Sequence, residues 1–312
     1  MGKVIIAGSA LIEGLMMIGR SNAAIAIRKP EGDIHLEKRC YTRSGQVYKI
    51  PIIRGVFSFI WQMILVTKAM MFSASFFDLE EEGNESGIDR FLDKLFGEKL
   101  KDVIVYFSLS LSLAFSIGLF ILLPNLLAGL LKLDNSTYMG VIYYNLFEGV
   151  LRISLFIGYL TIASRAKDIK RVWEYHGAEH KTINCYEHGE ELTVDNVMKH
   201  SAKNPRCGTS YMFFVLLVSI LFFSFIGWYS IWMNIIIRLM LIPFVAGLSF
   251  ELFILAGKGD SKLAEIICIP GMLLQRLTTK EPDKQQIEVA IEAFNAVLLV
   301  EEENSINKCA AL

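Results

Sequence analysis

The sequence has almost no net charge: 31 lysines and arginines face 32 aspartates and glutamates, a formal −1 over 312 residues. With no overall basic field, nothing favours nucleic acid as a partner. Cysteine is scarce, and the five present (Cys40, Cys185, Cys207, Cys268, Cys309) are odd in number without Cys-x-x-Cys spacing. A disulfide framework is therefore unsupported. No repeat, glycine-rich phosphate loop or low-complexity tract occurs. The first dozen residues carry one lysine and no long apolar core, which argues against a secretory signal.

Apolar residues are abundant. They make up 53% of the chain, and the mean hydropathy of +0.43 is too high for an ordinary soluble enzyme. The length allows one or two domains. The pattern predicts a mainly α integral membrane protein with about four transmembrane helices, an interfacial or re-entrant helix and a small β-rich amino-terminal segment.

Residues 1–55 form the β-rich segment, with runs Ala23–Arg28 and Ile34–Arg39 joined by a hairpin signal, Lys29-Pro30-Glu31-Gly32-Asp33. Upstream lies a small apolar run, 8–17, whose Gly8 and Gly14 permit a tight turn or a close approach. Its one carboxylate, Glu13, reads first as a solvated side chain on a strand edge. Residues 56–102 give an interfacial or re-entrant helix, Val56–Phe77, then an acidic loop and a short amphipathic helix, Ile88–Leu100. The first transmembrane pair occupies 103–163: Val103–Leu123, ended by Pro124, and Met139–Ala163. Glu148 and Arg152 in the latter are four apart and can pair on one helix face. Residues 211–256 hold a second pair, Tyr211–Gly227 and Ile231–Ala256, turned at Trp228-Tyr229-Ser230. Arg238 and Glu251 there are costly in lipid, so they should face the bundle opposite Glu148 and Arg152. The tail, 257–312, reads as a helix Ser261–Ile269 broken at Pro270-Gly271, then an amphipathic helix Asp283–Glu303. Ile287, Ala290, Ile291, Phe294, Val297 and Leu298 share the apolar face of that last helix.

The connecting loop, 164–210, carries Arg165, Lys167, Lys170 and Arg171, whereas the loop before Tyr138 has only Lys132. The positive-inside rule places both termini and the 164–210 loop in the cytoplasm. Within that loop, Tyr175–Lys181 reads Y-H-G-A-E-H-K. His176 and His180, four apart, fall on one helix face where two imidazoles can grip one metal. Glu179 beside them can take a proton from water, as in inverted zinc-hydrolase motifs. Glu187 is the nearest extra carboxylate for a third ligand. Cys207, at a helix amino terminus beside Arg206, favours the thiolate form and is the preferred third ligand. The predicted set is Zn²⁺ on His176, His180 and Cys207, with Glu179 as catalytic base and Arg206 stabilising an oxyanion. Hydrogen-bonding histidines, and a Pro205-Gly208-Thr209 helix cap, are the plainer readings.

Four blocks carry a resemblance: H-G-A-E-H-K at 176–181, N-P-R-C-G-T-S at 204–210, G-S-A-L-I-E-G-L-M-M at 8–17 and R-L-T-T-K-E-P at 276–282. The chain resembles the bacterial membrane family called YqhQ, whose proteins are labelled predicted metal-dependent enzymes. The resemblance implies multi-pass insertion in the bacterial inner membrane. It also implies that residues of the four blocks meet in one site, which brings Glu13, Arg54 and Arg206 forward. Two functions follow as expectations. One is a membrane-bound zinc hydrolase near the cytoplasmic interface, contacting membrane lipid and acting on membrane peptides or lipids. The other is a non-catalytic factor that inserts or assembles other membrane proteins. Transport, suggested only by Glu148, Arg152, Arg238 and Glu251, ranks third.

Overall fold

The computed structural model describes residues 4–41, 46–77, 100–130, 137–226, 230–258 and 262–310. The expected amphipathic helix at 88–100 (except Leu100) and the turn at 228–229 lie outside them. Strands are β1 (Ala7–Leu11), β2 (Gly14–Ile18), β3 (Asn22–Arg28) and β4 (Ile34–Cys40). Helices among the described residues are α1 (Ile53–Ala74), α2 (Leu100–Ile117), α3 (Leu123–Leu130), α4 (Tyr138–Ala163), α5 (Lys167–His188), α6 (Val194–Lys199), α7 (Gly208–Ser224), α8 (Ile231–Lys258), α9 (Lys262–Thr278) and α10 (Lys284–Ala310). They fall into two compact units.

The first unit comprises Met1–Phe77, Ile157–Ser219 and Leu241–Leu312. Its four strands form an antiparallel meander in the order β1-β2-β3-β4. β3 and β4 are the expected strands. β1 and β2 lack polar alternation because both faces of the sheet are covered, so periodicity could not reveal them. One face, with Leu15, Met17, Ala24 and Ala26, packs on Tyr175, Ala178 and Ile183 of α5 and on Ile287, Ala290, Phe294 and Val297 of α10. The last helix thus uses its predicted apolar side. The other face, with Leu11, Met16, Ile25 and Ile27, is covered by Trp61, Leu65, Val66 and Ala69 of α1.

By length and apolarity, Ile53–Phe77, Phe107–Leu130, Met139–Ala163 and Trp232–Gly257 are able to cross a membrane, while α7 is apolar but shorter. α1 begins at Ile53, three residues before the predicted start, and so gains the length to span.

Two prolines expected to end helices, Pro124 and Pro270, do not. Pro270 lies inside α9, where Gln275 and Gly271 lock the following turns onto the 204–210 segment: Gln275 Nε2 donates to the Asn204 carbonyl at 2.6 Å, and a Cβ on Gly271 would lie 2.8 Å from Ser210. Pro124 belongs to the second unit, Asp78–Phe156 and Ile220–Met240. There the chain passes through a π-turn, Gly118–Leu122, and continues helical to Leu130. Proline has no N–H for the carbonyl four residues back, that of Phe120. Arg152 Nε donates to this oxygen instead, at 2.9 Å.

The same arginine pairs through Nη2 with Glu148 Oε1 at 2.7 Å, and Arg238 Nη1 shares that oxygen. Arg238 Nη2 also donates to Asn145 Oδ1 at 3.0 Å. Arg238 therefore meets Glu148 as expected. Glu251 does not join them: in the first unit it accepts from Arg54 Nε at 2.7 Å.

Candidate metal centre

His176 and His180 stand one turn apart on α5, with ring centroids 4.4 Å from each other. Both are buried, at 8% and 1% exposure. His176 Nδ1 lies 2.8 Å from the Thr278 carbonyl, and His180 Nδ1 lies 2.6 Å from the Ala202 carbonyl. A carbonyl oxygen can only accept, so each Nδ1 carries the proton and each Nε2 keeps its lone pair. His176 Nε2 is 3.1 Å from Cys207 Sγ. His180 Nε2 is buried and has no hydrogen-bond partner among the described residues. Ligand atoms of His176, His180 and Cys207 all lie within 4.8 Å of one another. Ligands about 2.0–2.3 Å from a tetrahedral zinc sit about 3.3–3.8 Å apart, so small shifts suffice. A backbone carbonyl behind each imidazole is the support that metal-binding histidines use to fix their tautomer. The donor set, two neutral imidazoles and a thiol, fits zinc.

Nonlocal contacts bring these groups together. Cys207 immediately precedes α7, where the Thr209 N–H donates to its sulfur at 3.4 Å. Asn184 Nδ2 donates to the Ser201 and Lys203 carbonyls at 2.6 and 3.0 Å, holding the strand that presents Ala202. The segment after α9 crosses α5 at Gly177, where a Cβ would lie 1.9 Å from the Lys280 carbonyl oxygen. Only glycine permits that approach. Lys280 N–H donates to the Trp173 carbonyl at 3.0 Å, and Lys181 pairs with Glu281 at 2.8 Å. The crossing therefore fixes Thr278 above His176.

Glu179 is buried beside the imidazoles, with Oε2 unpartnered among the described residues. Burial pushes its carboxyl up to about 7, against the opposing pull of His176 and of the Gly8 N–H. Gly8 of β1 presses on this group: a Cβ there would lie 2.6 Å from Glu179 Cδ. The amino-terminal block thus reaches the site through backbone.

Other predicted residues have partners of their own. Glu13 is not solvated on a strand edge. It occupies the β1–β2 turn at φ +46°, where it accepts from Arg171 Nε and Nη2 at 2.8 and 3.0 Å and from the Tyr175 hydroxyl at 3.2 Å. Burial first, then the Glu13 charge, raises the Tyr175 phenol above its ordinary range. Arg54 is engaged by Glu251. Arg206 Nη2 lies 2.8 and 2.9 Å from the two oxygens of Glu187, which ties that carboxylate outside the ligand group. The Thr278 and Ala202 carbonyls and Gly177 were not found by sequence reasoning, whereas the close approach that Gly8 permits was. The glycine at 177, inside a helical motif, was the one available signal.

The family described as a protein of unknown function (DUF1385) matches residues 50–300. The uncharacterized protein YqhQ of Bacillus subtilis (strain 168) is 36% identical over 302 residues, covering 94% of this chain and 92% of that relative. No solved structure matches.

Proposed function

Because the chain belongs to the DUF1385 family, whose description assigns no reaction, its function has to be argued from the site, and we propose a membrane-bound zinc-dependent hydrolase. The observation that carries this reading is the pair of imidazoles, each held at Nδ1 by a carbonyl, with His176 Nε2 3.1 Å from Cys207 Sγ and His180 Nε2 buried without a partner among the described residues. Zinc held there supplies Lewis acidity, which lowers the pKa of water toward neutrality. Glu179, with one oxygen steadied by Gly8 and the other unpartnered, is placed to accept the proton from attacking water and return it to the leaving group. Arg206 adjoins Cys207 in the chain, and its guanidinium, held through Nη2 by Glu187, is the cation proposed to stabilise a developing oxyanion.

The site unit continues into apolar helices, and α9, which presents Thr278 to His176, exposes Ile266, Ile269 and Leu273 at 61%, 45% and 49%. That stripe supports a place at the membrane interface and a substrate drawn from membrane peptides or lipids. Arg165, Lys167, Lys170 and Arg171 favour the cytoplasmic face of the bacterial inner membrane.

A second reading rests on the 3.1 Å approach of His176 Nε2 to Cys207 Sγ. It makes Cys207 a nucleophile, His176 its base and Thr278 the orienting group. That account leaves the unpartnered Nε2 of His180 without a task, so the metal reading is preferred.

The test is Glu179→Gln in protein incubated with bacterial membrane lipids and membrane peptides, with products read by mass spectrometry. Hydrolysis that the variant abolishes while it keeps its zinc supports the proposal. No turnover by either protein, or turnover unchanged by the substitution, contradicts it and returns the histidines to a structural role in a factor for membrane-protein insertion or assembly.

A further inference from the structure

The far end of α5 holds a second group of metal-ligating side chains that the hydrolase reading does not use. Gly189, at φ +79°, ends the helix, and the chain doubles back so that the Glu190 N–H donates to the Cys185 carbonyl at 3.2 Å. This left-handed turn sets the Glu190 carboxylate over Cys185. His200 follows α6, with its N–H on the Val197 carbonyl at 3.1 Å. The thiol of Cys185, a carboxylate oxygen of Glu190 and a ring nitrogen of His200 lie within 4.8 Å of one another.

Two observations separate this from a chance surface cluster. Cys185 is fully buried, at 0% exposure. The His200 side chain is one-tenth exposed, and its buried Nε2 has no hydrogen-bond partner among the described residues, although Glu190 Oε2 is 3.3 Å away. The carboxylate is near enough for charge attraction, but the pair is not aligned as a hydrogen bond. A ring nitrogen buried without a bond is costly, and a cation between it, the carboxylate and the sulfur would relieve that cost.

We propose that Cys185, Glu190 and His200 form a second zinc site, structural in role. Sulfur, imidazole nitrogen and carboxylate oxygen are the three donor types zinc accepts, and binding releases the thiol proton. All three ligands come from turns at the ends of α5 and α6, so the ion ties those ends together. It thereby steadies the segment after His200, whose Ala202 carbonyl orients His180. The site stands on its own ligands and does not require that the protein hydrolyse anything.

The experiment uses full-length protein in detergent, stripped with chelator, reloaded with Zn²⁺, desalted and measured for bound metal. Wild type is expected to hold two equivalents. His200→Ala and His176→Ala should each hold one, and the double variant none. Cys185→Ser repeats the His200→Ala test with a smaller change in shape, should His200→Ala fail to fold. Co²⁺ gives an independent readout: thiolate-to-metal absorption persisting in Cys207→Ser and vanishing when Cys185→Ser is added. The proposal is overturned if His200→Ala and Cys185→Ser both bind as much zinc as wild type. Loss of metal in His176→Ala alone, with those two variants unchanged, would keep the first site and remove the second.

Discussion

The molecule buries two polar clusters with opposite logic. In the second unit, Glu148, Arg152, Arg238 and Asn145 answer one another: the carboxylate takes two guanidiniums, Phe120 supplies a carbonyl and Asn145 an amide oxygen. Both guanidiniums also lie over the Phe223 ring, 5.7 and 5.5 Å from its centroid. Charges in an apolar span are costly, and here the partners come from within the cluster. In the first unit, His176 and His180 are each held from behind by a backbone carbonyl. Their forward nitrogens meet a sulfur or nothing, and the neighbouring Glu179 keeps an oxygen unpartnered. The first cluster pairs its charges among its own side chains, leaving Glu148 Oε2 without a hydrogen bond among the described residues. The second is arranged to receive something.

That contrast can be broken by substitution. The largest effect belongs to the charge-paired cluster: Glu148→Gln leaves two buried guanidiniums without their anion and should cost about 3–5 kcal/mol. Zinc content of the folded protein should not change. Thermal unfolding in detergent measures the first and elemental analysis the second; a variant as stable as wild type would show that Glu148 is not compensating the arginines.

Next comes Glu179→Gln in metal-free protein. The wild-type carboxyl is raised to about 7 from an unperturbed 4.5 by burial. Protonated, it carries no penalty below the unfolded value; the penalty of ionising it builds as pH rises from about 4.5 to about 7 and is fully present above that. At pH 8 the variant should be more stable by about 3 kcal/mol, and at pH 4 by almost nothing. Equal melting curves at both values would mean that Glu179 is solvated.

Gly177→Ala should cost about 1–3 kcal/mol, because its Cβ meets the Lys280 carbonyl. It should also weaken zinc binding about 10–100-fold by moving Thr278 off His176, which a competition titration reads. Unchanged affinity would show that this carbonyl does not set the ligand. The smallest effect is that of Glu187→Gln. Its pair with Arg206 is partly exposed, so stability should fall by about 1 kcal/mol or less. A larger loss would place that pair inside the buried network.

How much of the molecule is legible in its sequence depends on the range of the interactions. The spacing of His176 and His180 is a property of one helix, so their shared face was legible, as was the apolar side of α10. Gly189, in the left-handed region, ends α5, and the Thr193 side chain caps α6, both by local chemistry. The approach of Cys207 to His176 required a fold-back that no local pattern dictates. The Thr278 and Ala202 carbonyls are backbone atoms and leave no residue signature at all. Pro124 and Pro270 misled for a related reason: a proline ends a helix unless tertiary partners hold the neighbouring turns, and Arg152 and Gln275 do so here. Glu13 looked like a solvated edge residue because Arg171 is remote in sequence.

The most direct test of the central claim is elemental analysis of wild type, His176→Ala and His180→Ala, purified identically without added chelator. The account predicts that each variant carries one zinc fewer per chain than wild type while retaining its helical content. Equal zinc in all three folded proteins would contradict it, and the two imidazoles would then be buried hydrogen-bonding groups rather than ligands.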